Sequence, residues 1–259
     1  MFDHVIVAHP KDYECLPICI QGILENVSGS SGKIYLVSPT NPNVENVEFV
    51  NEKEFDHIVK LSDIRERFVS ALPNTNGLMS GGDRSGWIYQ QFLKMFSGDV
   101  LDTSERYHVV CSDTFFVNDP LLDENIFHYQ RVSNIQHYPY VVTLDKVFGE
   151  GFTAKDGHFN SHHMLFSRTH FNEMKDAVEK KHDKPLWRAC MDCMSYNDGA
   201  ELSEYIMFAN WMINHHPKKC VEVNLLRTDI NRLPTKQQLK LFRDTGYVYI
   251  NSHAYNRIG

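Results

Sequence analysis

The chain has 259 residues, a hydrophobic fraction of 42%, a charged fraction of 23% and a formal charge of -7. These are the values of a folding globular protein of one large or two small domains, and they exclude a disordered chain. With no basic run and no apolar stretch long enough to span a bilayer, they point away from nucleic acid and membrane spans and towards a small or carbohydrate-like ligand.

The N-terminus lacks the basic and apolar segments of a secretion signal, so a cytoplasmic location is expected. Six cysteines, Cys15, Cys19, Cys111, Cys190, Cys193 and Cys220, are too sparse for a disulfide scaffold and are expected as thiols. Cys190 and Cys193 form a lone C-x-x-C with no second pair at zinc-finger spacing.

The apolar run His4–Ala8 predicts a first strand, ended by Pro10, which lacks a ladder donor. Apolar residues from Tyr13 to Val27 recur at helical spacing, with Pro17 tolerable only in the first turn. Lys33–Val37 predicts a second strand, so the opening reads as a βαβ unit with a parallel sheet. A weaker strand near Val47–Val50 and a helix near Asp63–Leu72 follow. The glycine-bearing segment Gly77–Arg84 then opens into a helix, with Ser85 as its expected N-cap. In that helix Ile88, Phe92, Met95 and Phe96 form the apolar stripe, while Trp87, Gln91 and Lys94 share another face.

Tyr107–Val117 reads as a buried strand that is interrupted by Ser112-Asp113-Thr114. Ser and Asp suit a simple turn, but a carboxylate beyond the carboxyl end of a strand in an open α/β sheet is also where a metal-bound phosphate would sit. Ile126–Gln130 and Tyr138–Leu144 are expected as strands. His162 and His163 precede another apolar run, and on a strand such neighbours face opposite sides. Helices are expected over Arg168–Lys181 and through Trp187 and Met191, and a turn at Asn197–Gly199. An apolar helix beginning at Glu201 would carry Glu201 and Glu204 in its first turn, where acids suit the dipole. A strand over Val221–Leu225, a helix over Thr235–Thr245 and a strand over Tyr247–Ile250 complete the reading.

In order, His9-Pro10-Lys11-Asp12, the helix Gly86–Lys94, Ser112-Asp113-Thr114, His162-His163-Met164 and Ser203-Glu204-Tyr205 resemble a family of GT-A-type nucleotide-sugar glycosyltransferases. Its members occur in bacterial surface-polysaccharide systems and in large algal viruses. The resemblance spans about residues 3–215. It implies an α/β fold with a Rossmann-like, mixed but mostly parallel sheet flanked by helices. One domain would cover 1–259, with a donor-binding part to about 120 and an acceptor and catalytic part beyond it.

The implied activity is metal-dependent transfer from a nucleoside diphosphate sugar, with UDP-sugar expected, to a hydroxyl of a glycan acceptor. The setting would be cytoplasmic, or the host-cell cytoplasm for a viral member. His9, Pro10, Lys11, Asp12, Arg84, Gln91, Lys94, Ser112 and Asp113 would surround the donor, and His162 and His163 the acceptor. Asp113 matches the second acid of a D-x-D motif whose first acid is replaced by Cys111, so Asp113 and His253 would hold Mn2+ or Mg2+. Glu204 would be the base of an inverting reaction; with retention it would orient the acceptor. The alternatives are a nucleotidyltransferase and a non-catalytic nucleotide- or glycan-binding module.

Overall fold

The computed structural model describes residues 2–29, 32–71, 84–134, 137–155, 157–196, 198 and 200–253. Its centre is built from short, fully buried strands. In β1 (Asp3–Val7), Val5 and Val7 enter one apolar cluster while Ile6 and the following Ala8 enter another. That alternation is what a strand covered on both faces requires. A 3-10 turn, Pro10–Cys15, leads into α1 (Leu16–Asn26), with Pro17 in its first turn, where the missing N–H has no partner to lose.

The chain continues through β2 (Ile34–Ser38), β3 (Glu48–Asn51), α2 (Leu61–Ala71), α3 (Ser85–Met95), the short α4 (Ser97–Val100) and β4 (Arg106–Cys111). It then turns at Ser112 and Asp113 into β5 (Thr114–Phe116), β6 (Phe127–Gln130), α5 (Tyr138–Phe148) and β7 (His163–Ser167). Next come α6 (Arg168–His182), α7 (Leu186–Cys193), α8 (Glu204–His215), β8 (Cys220–Val223), β9 (Arg227–Asp229), α9 (Lys236–Asp244) and β10 (Tyr249–Asn251).

The main sheet has the order β3-β2-β1-β4-β7, parallel except for β7. This is the mixed, mostly parallel sheet flanked by helices that the sequence leads one to expect. Its strand order reverses between β1 and β4, which opens a crevice at their carboxyl ends. The segment read as one strand over Tyr107–Val117 serves two sheets: β4 lies in the main sheet, while β5 joins β10 and β9. The peptide of Asp113 is fixed at that junction, because Ser252 N–H donates to its carbonyl at 2.9 Å.

Three local expectations are corrected. Tyr138–Leu144 lies in a helix, α5, with Pro139 in its first turn; Tyr140, Thr143, Leu144 and Val147 are buried at helical spacing, which outweighs the β-branched pair Val141-Val142. Ser85 is the first residue of α3, and Arg84 holds the N-cap position without a side-chain cap bond. Glu201 precedes α8, whose N-cap is Ser203; its carboxylate instead accepts from Ser195 and from the Asp198 N–H. Residues 72–83, which include most of the predicted glycine-bearing segment, lie outside the described residues, as do Asn197 and Gly199 of the predicted turn.

Candidate functional site

The crevice at the β1/β4 reversal is a cleft of about 280 Å³. Lys11 and Asp12 enter it from the loop after β1, and Arg84, Trp87, Gln90, Gln91 and Lys94 from α3. The turn after β4 supplies Cys111, Ser112 and Asp113, and Tyr140, Asn160, His162, Ala200, Glu204 and His253 complete the lining. α3 is tied to the sheet where this matters, since Gln90 Nε2 donates to the carbonyl of Val7 at 3.0 Å.

Asp113 Oδ2 lies 2.8 Å from His253 Nδ1. Burial would raise the Asp113 pKa, but the His253 hydrogen bond and charge hold it below the usual carboxylate range. Burial works against the His253 imidazolium in turn, and Asp113 raises its pKa above the ordinary histidine value. A positive charge is therefore favoured beside Asp113 even without a metal. His162, at φ 63°, places its ring 4.8 Å from that of His253 and is kept neutral by burial, with its pKa down at about 3.

Deeper in the cleft, Lys94 Nζ donates to Glu204 Oε1 at 2.8 Å, with side-chain exposures of only 4% and 1%. Burial opposes the Lys94 charge, while Cys111 and Glu204 raise its pKa above the normal lysine range. Glu204 Oε2 is buried without a hydrogen-bond partner, and an acceptor atom left so costs free energy unless something fills the role. Cys111 Sγ is 3.3 Å from Lys94 Nζ and 3.5 Å from the Tyr205 hydroxyl. Burial pushes this thiol up to about 11, so it is protonated near neutrality and is no ligand for a hard cation. Near the mouth, the Arg84 guanidinium stacks over Trp87 at 4.8 Å.

Of the residues singled out in the sequence, the cleft gathers Lys11, Asp12, Arg84, Gln91, Lys94, Ser112, Asp113, His162, Glu204 and His253. Three fall outside its lining. His9 and Pro10 are exposed, and His9 Nδ1 accepts from the Lys11 N–H to cap the 3-10 turn. His163 faces the opposite side of the sheet. Its Nδ1 meets His108 Nε2 at 3.1 Å, and His108 Nδ1 meets His4 Nδ1 at 3.2 Å, forming a buried column across β7, β4 and β1. His163 is the first residue of β7, whereas His162 lies just before the strand at φ 63°, and this left-handed residue, not the alternation expected of strand neighbours, turns its ring to the cleft. Sequence reasoning missed Tyr140, Asn160 and Ala200; for Tyr140 the available signal was Pro139, a helix-starting residue.

No family model and no curated protein matches the sequence. Among solved structures, the chain is similar to mouse xyloside xylosyltransferase 1 in its apo form, with 10% identity, a TM-score of 0.48, and coverage of 99% of this chain and 100% of that one. It is similar to the galactosyltransferase LgtC in complex with donor and acceptor sugar analogs, with 12% identity, a TM-score of 0.47, and coverage of 96% and 86%. It is also similar to the bifunctional glycosyltransferase WbbM, with 10% identity, a TM-score of 0.49, and coverage of 96% and 45%. Function has to be read from the side chains of the cleft.

A larger cavity, about 340 Å³, is lined by Phe148, Phe152, Val178, Lys181 and Trp211 among others. Its lysine is already engaged by the carbonyls of Lys146 and Val147. None of the site residues singled out in the sequence lines it, whereas the crevice at the strand reversal gathers ten of them and is the candidate site.

Proposed function

We propose that this chain is an inverting glycosyltransferase that moves a sugar from a nucleoside diphosphate sugar, with a uridine nucleotide as the expected donor, to a glycan hydroxyl. The observation that carries this reading is one cleft holding the Asp113–His253 pair at 2.8 Å together with Lys11, Arg84 and Lys94. Three cations around a carboxylate suit a diphosphate that approaches with a divalent ion. Of the expected Mn2+ and Mg2+, Asp113 and His253 fit Mn2+ better, because Mg2+ prefers oxygen ligands to an imidazole, and they leave further positions to phosphate oxygens. When bound, that ion would offset the charge left on the departing nucleoside diphosphate.

Arg84 and Lys11 would hold the phosphates and Lys94 would add its fixed charge at the buried end. Glu204, rigidly placed at the start of α8, would accept the acceptor hydroxyl proton on Oε2. Neutral His162 would hydrogen-bond a sugar hydroxyl. No helix among the described residues is long and apolar enough to cross a membrane.

The Lys94–Glu204 contact favours a second reading, in which Glu204 positions Lys94 and the reaction retains configuration. Incubation with UDP-sugars and Mn2+ tests the first step: release of nucleoside diphosphate is expected, with loss of turnover in Asp113→Ala. Pyrophosphate release would instead indicate a nucleotidyltransferase, and metal-independent nucleotide binding without turnover a non-catalytic module. Glu204→Gln separates the two glycosyl-transfer readings. A base is lost with a fall in kcat of roughly 10²-fold or more and little change in donor affinity; a positioning role weakens donor binding as well.

A further inference from the structure

Past the opposite end of β7 from the cleft-lining His162, His170, Glu173 and His216 bring one potential ligand atom each within 4.8 Å of one another. His170 and Glu173 lie one turn apart at the start of α6, and His216 is the C-cap residue of α8. β7 runs antiparallel to β4, so its five residues separate this cluster from His162 by roughly 15 Å of strand rise.

The hydrogen bonds fix the chemistry of His170. Ser167 Oγ donates its only proton to Glu105 Oε1 at 2.8 Å, and a carboxylate can only accept. The 2.8 Å contact between Ser167 Oγ and His170 Nδ1 must then be a donation from the ring N–H. His170 Nε2 is left with a bare lone pair. This is the imidazole–hydroxyl–carboxylate arrangement that orients a metal-ligating histidine and raises its basicity. The lone pair now faces a cation, Lys219 Nζ, at 3.2 Å. His216 Nε2 donates to Glu173 Oε2 at 2.7 Å, so the second imidazole and the carboxylate are already drawn together.

We propose that His170, Glu173 and His216 form a second metal site, of the zinc class, whose place is held in the metal-free chain by the Lys219 ammonium. Two imidazoles and one carboxylate suit Zn2+ better than Mg2+ or Ca2+, which prefer oxygen ligands, and they leave one position for water. On binding, His216 gives up or relocates its Nε2 proton. Lys219 keeps its own proton and swings into solvent, which the exposed 3-10 turn that carries it allows. The ion would tie the start of α6 to the end of α8.

Zn2+ titration of the full chain against a chromophoric chelator tests this, in an Asp113→Ala/His253→Ala background that removes the cleft ligands, and in parallel by thermal shift of the unaltered chain. One saturable Zn2+ per chain is expected, together with a rise in Tm. His216→Ala or Glu173→Gln should weaken binding by roughly tenfold or more, and Lys219→Ala should tighten it by removing the competing cation. The assignment is overturned by an absence of saturable binding, by binding that survives His216→Ala and Glu173→Gln together, or by weaker binding in Lys219→Ala.

Discussion

Acid should unfold this protein through its buried histidine column. His4, His108 and His163 are fully or almost fully buried. Each neutral ring of such a chain has one N–H and one bare nitrogen, so whichever tautomers the column adopts, its two ends remain unsatisfied; His4 Nε2 and His163 Nε2 are without hydrogen-bond partners. Burial lowers the pKa of His4 to about 4 and of His163 to about 3, and holds His108 well below 6.5. As pH falls below the unfolded value of 6.5, the unfolded chain takes up protons that the folded chain refuses. Stability therefore decreases from that point until the folded rings titrate.

Each pH unit of that interval removes about 1.4 kcal/mol per histidine, so at about pH 5 His4 and His163 together cost on the order of 4 kcal/mol, and His108 adds to this in the same direction. That approaches the lower end of the whole stability of an ordinary domain, about 5–15 kcal/mol. His162, which burial also holds down at about 3, adds to the fall, while His253 acts in the opposite sense: its raised pKa contributes stability at low pH that is lost as pH rises, and so offsets part of it. Urea titrations over about pH 5 to 7.5 should show the midpoint dropping steeply below 6.5. The ring protons of the column, followed by NMR, should stay at their neutral positions over the same range. An unchanged urea midpoint, or column rings that titrate near 6.5, would refute the reasoning.

Other perturbations probe the cleft and its supports. Lys94→Met leaves the Glu204 charge buried without its partner and should cost about 3–5 kcal/mol in a urea titration. Adding Glu204→Gln should recover much of that loss, and additive losses in the double-mutant cycle would contradict the pairing. Gly22→Ala puts a Cβ 2.9 Å from the backbone N and O of Phe116, so α1 must lift from β5, costing about 1–3 kcal/mol in thermal unfolding. Asp113→Asn keeps shape but removes charge, and should abolish the dependence of nucleotide binding on Mn2+ in calorimetry.

The parts of the fold legible in the sequence are those whose local pattern and burial agree. β1, α1 and β2 were marked by an apolar run, a helical repeat and glycine or proline punctuation, and the reversal of strand order then places Lys11 and Asp113 at one crevice. Where two local signals conflicted, packing decided. Val141-Val142 favours a strand, but Pro139 and the helical spacing from Tyr140 to Val147 prevail because that face is buried. The histidine column was beyond reach, because it depends on the register that sets His4 opposite His108. The Lys94–Glu204 pair joins residues 110 positions apart, and no periodicity reports such a meeting.

The same separation has a consequence for biosynthesis. Asp113 and His253 are 140 positions apart, and at synthesis rates of about 5–20 residues per second the carboxylate waits roughly 7–28 s for its imidazole. Throughout that delay a nascent chain displays the carboxylate without its partner, and the Asp113–His253 pair can close only after translation has delivered the residues that follow β10.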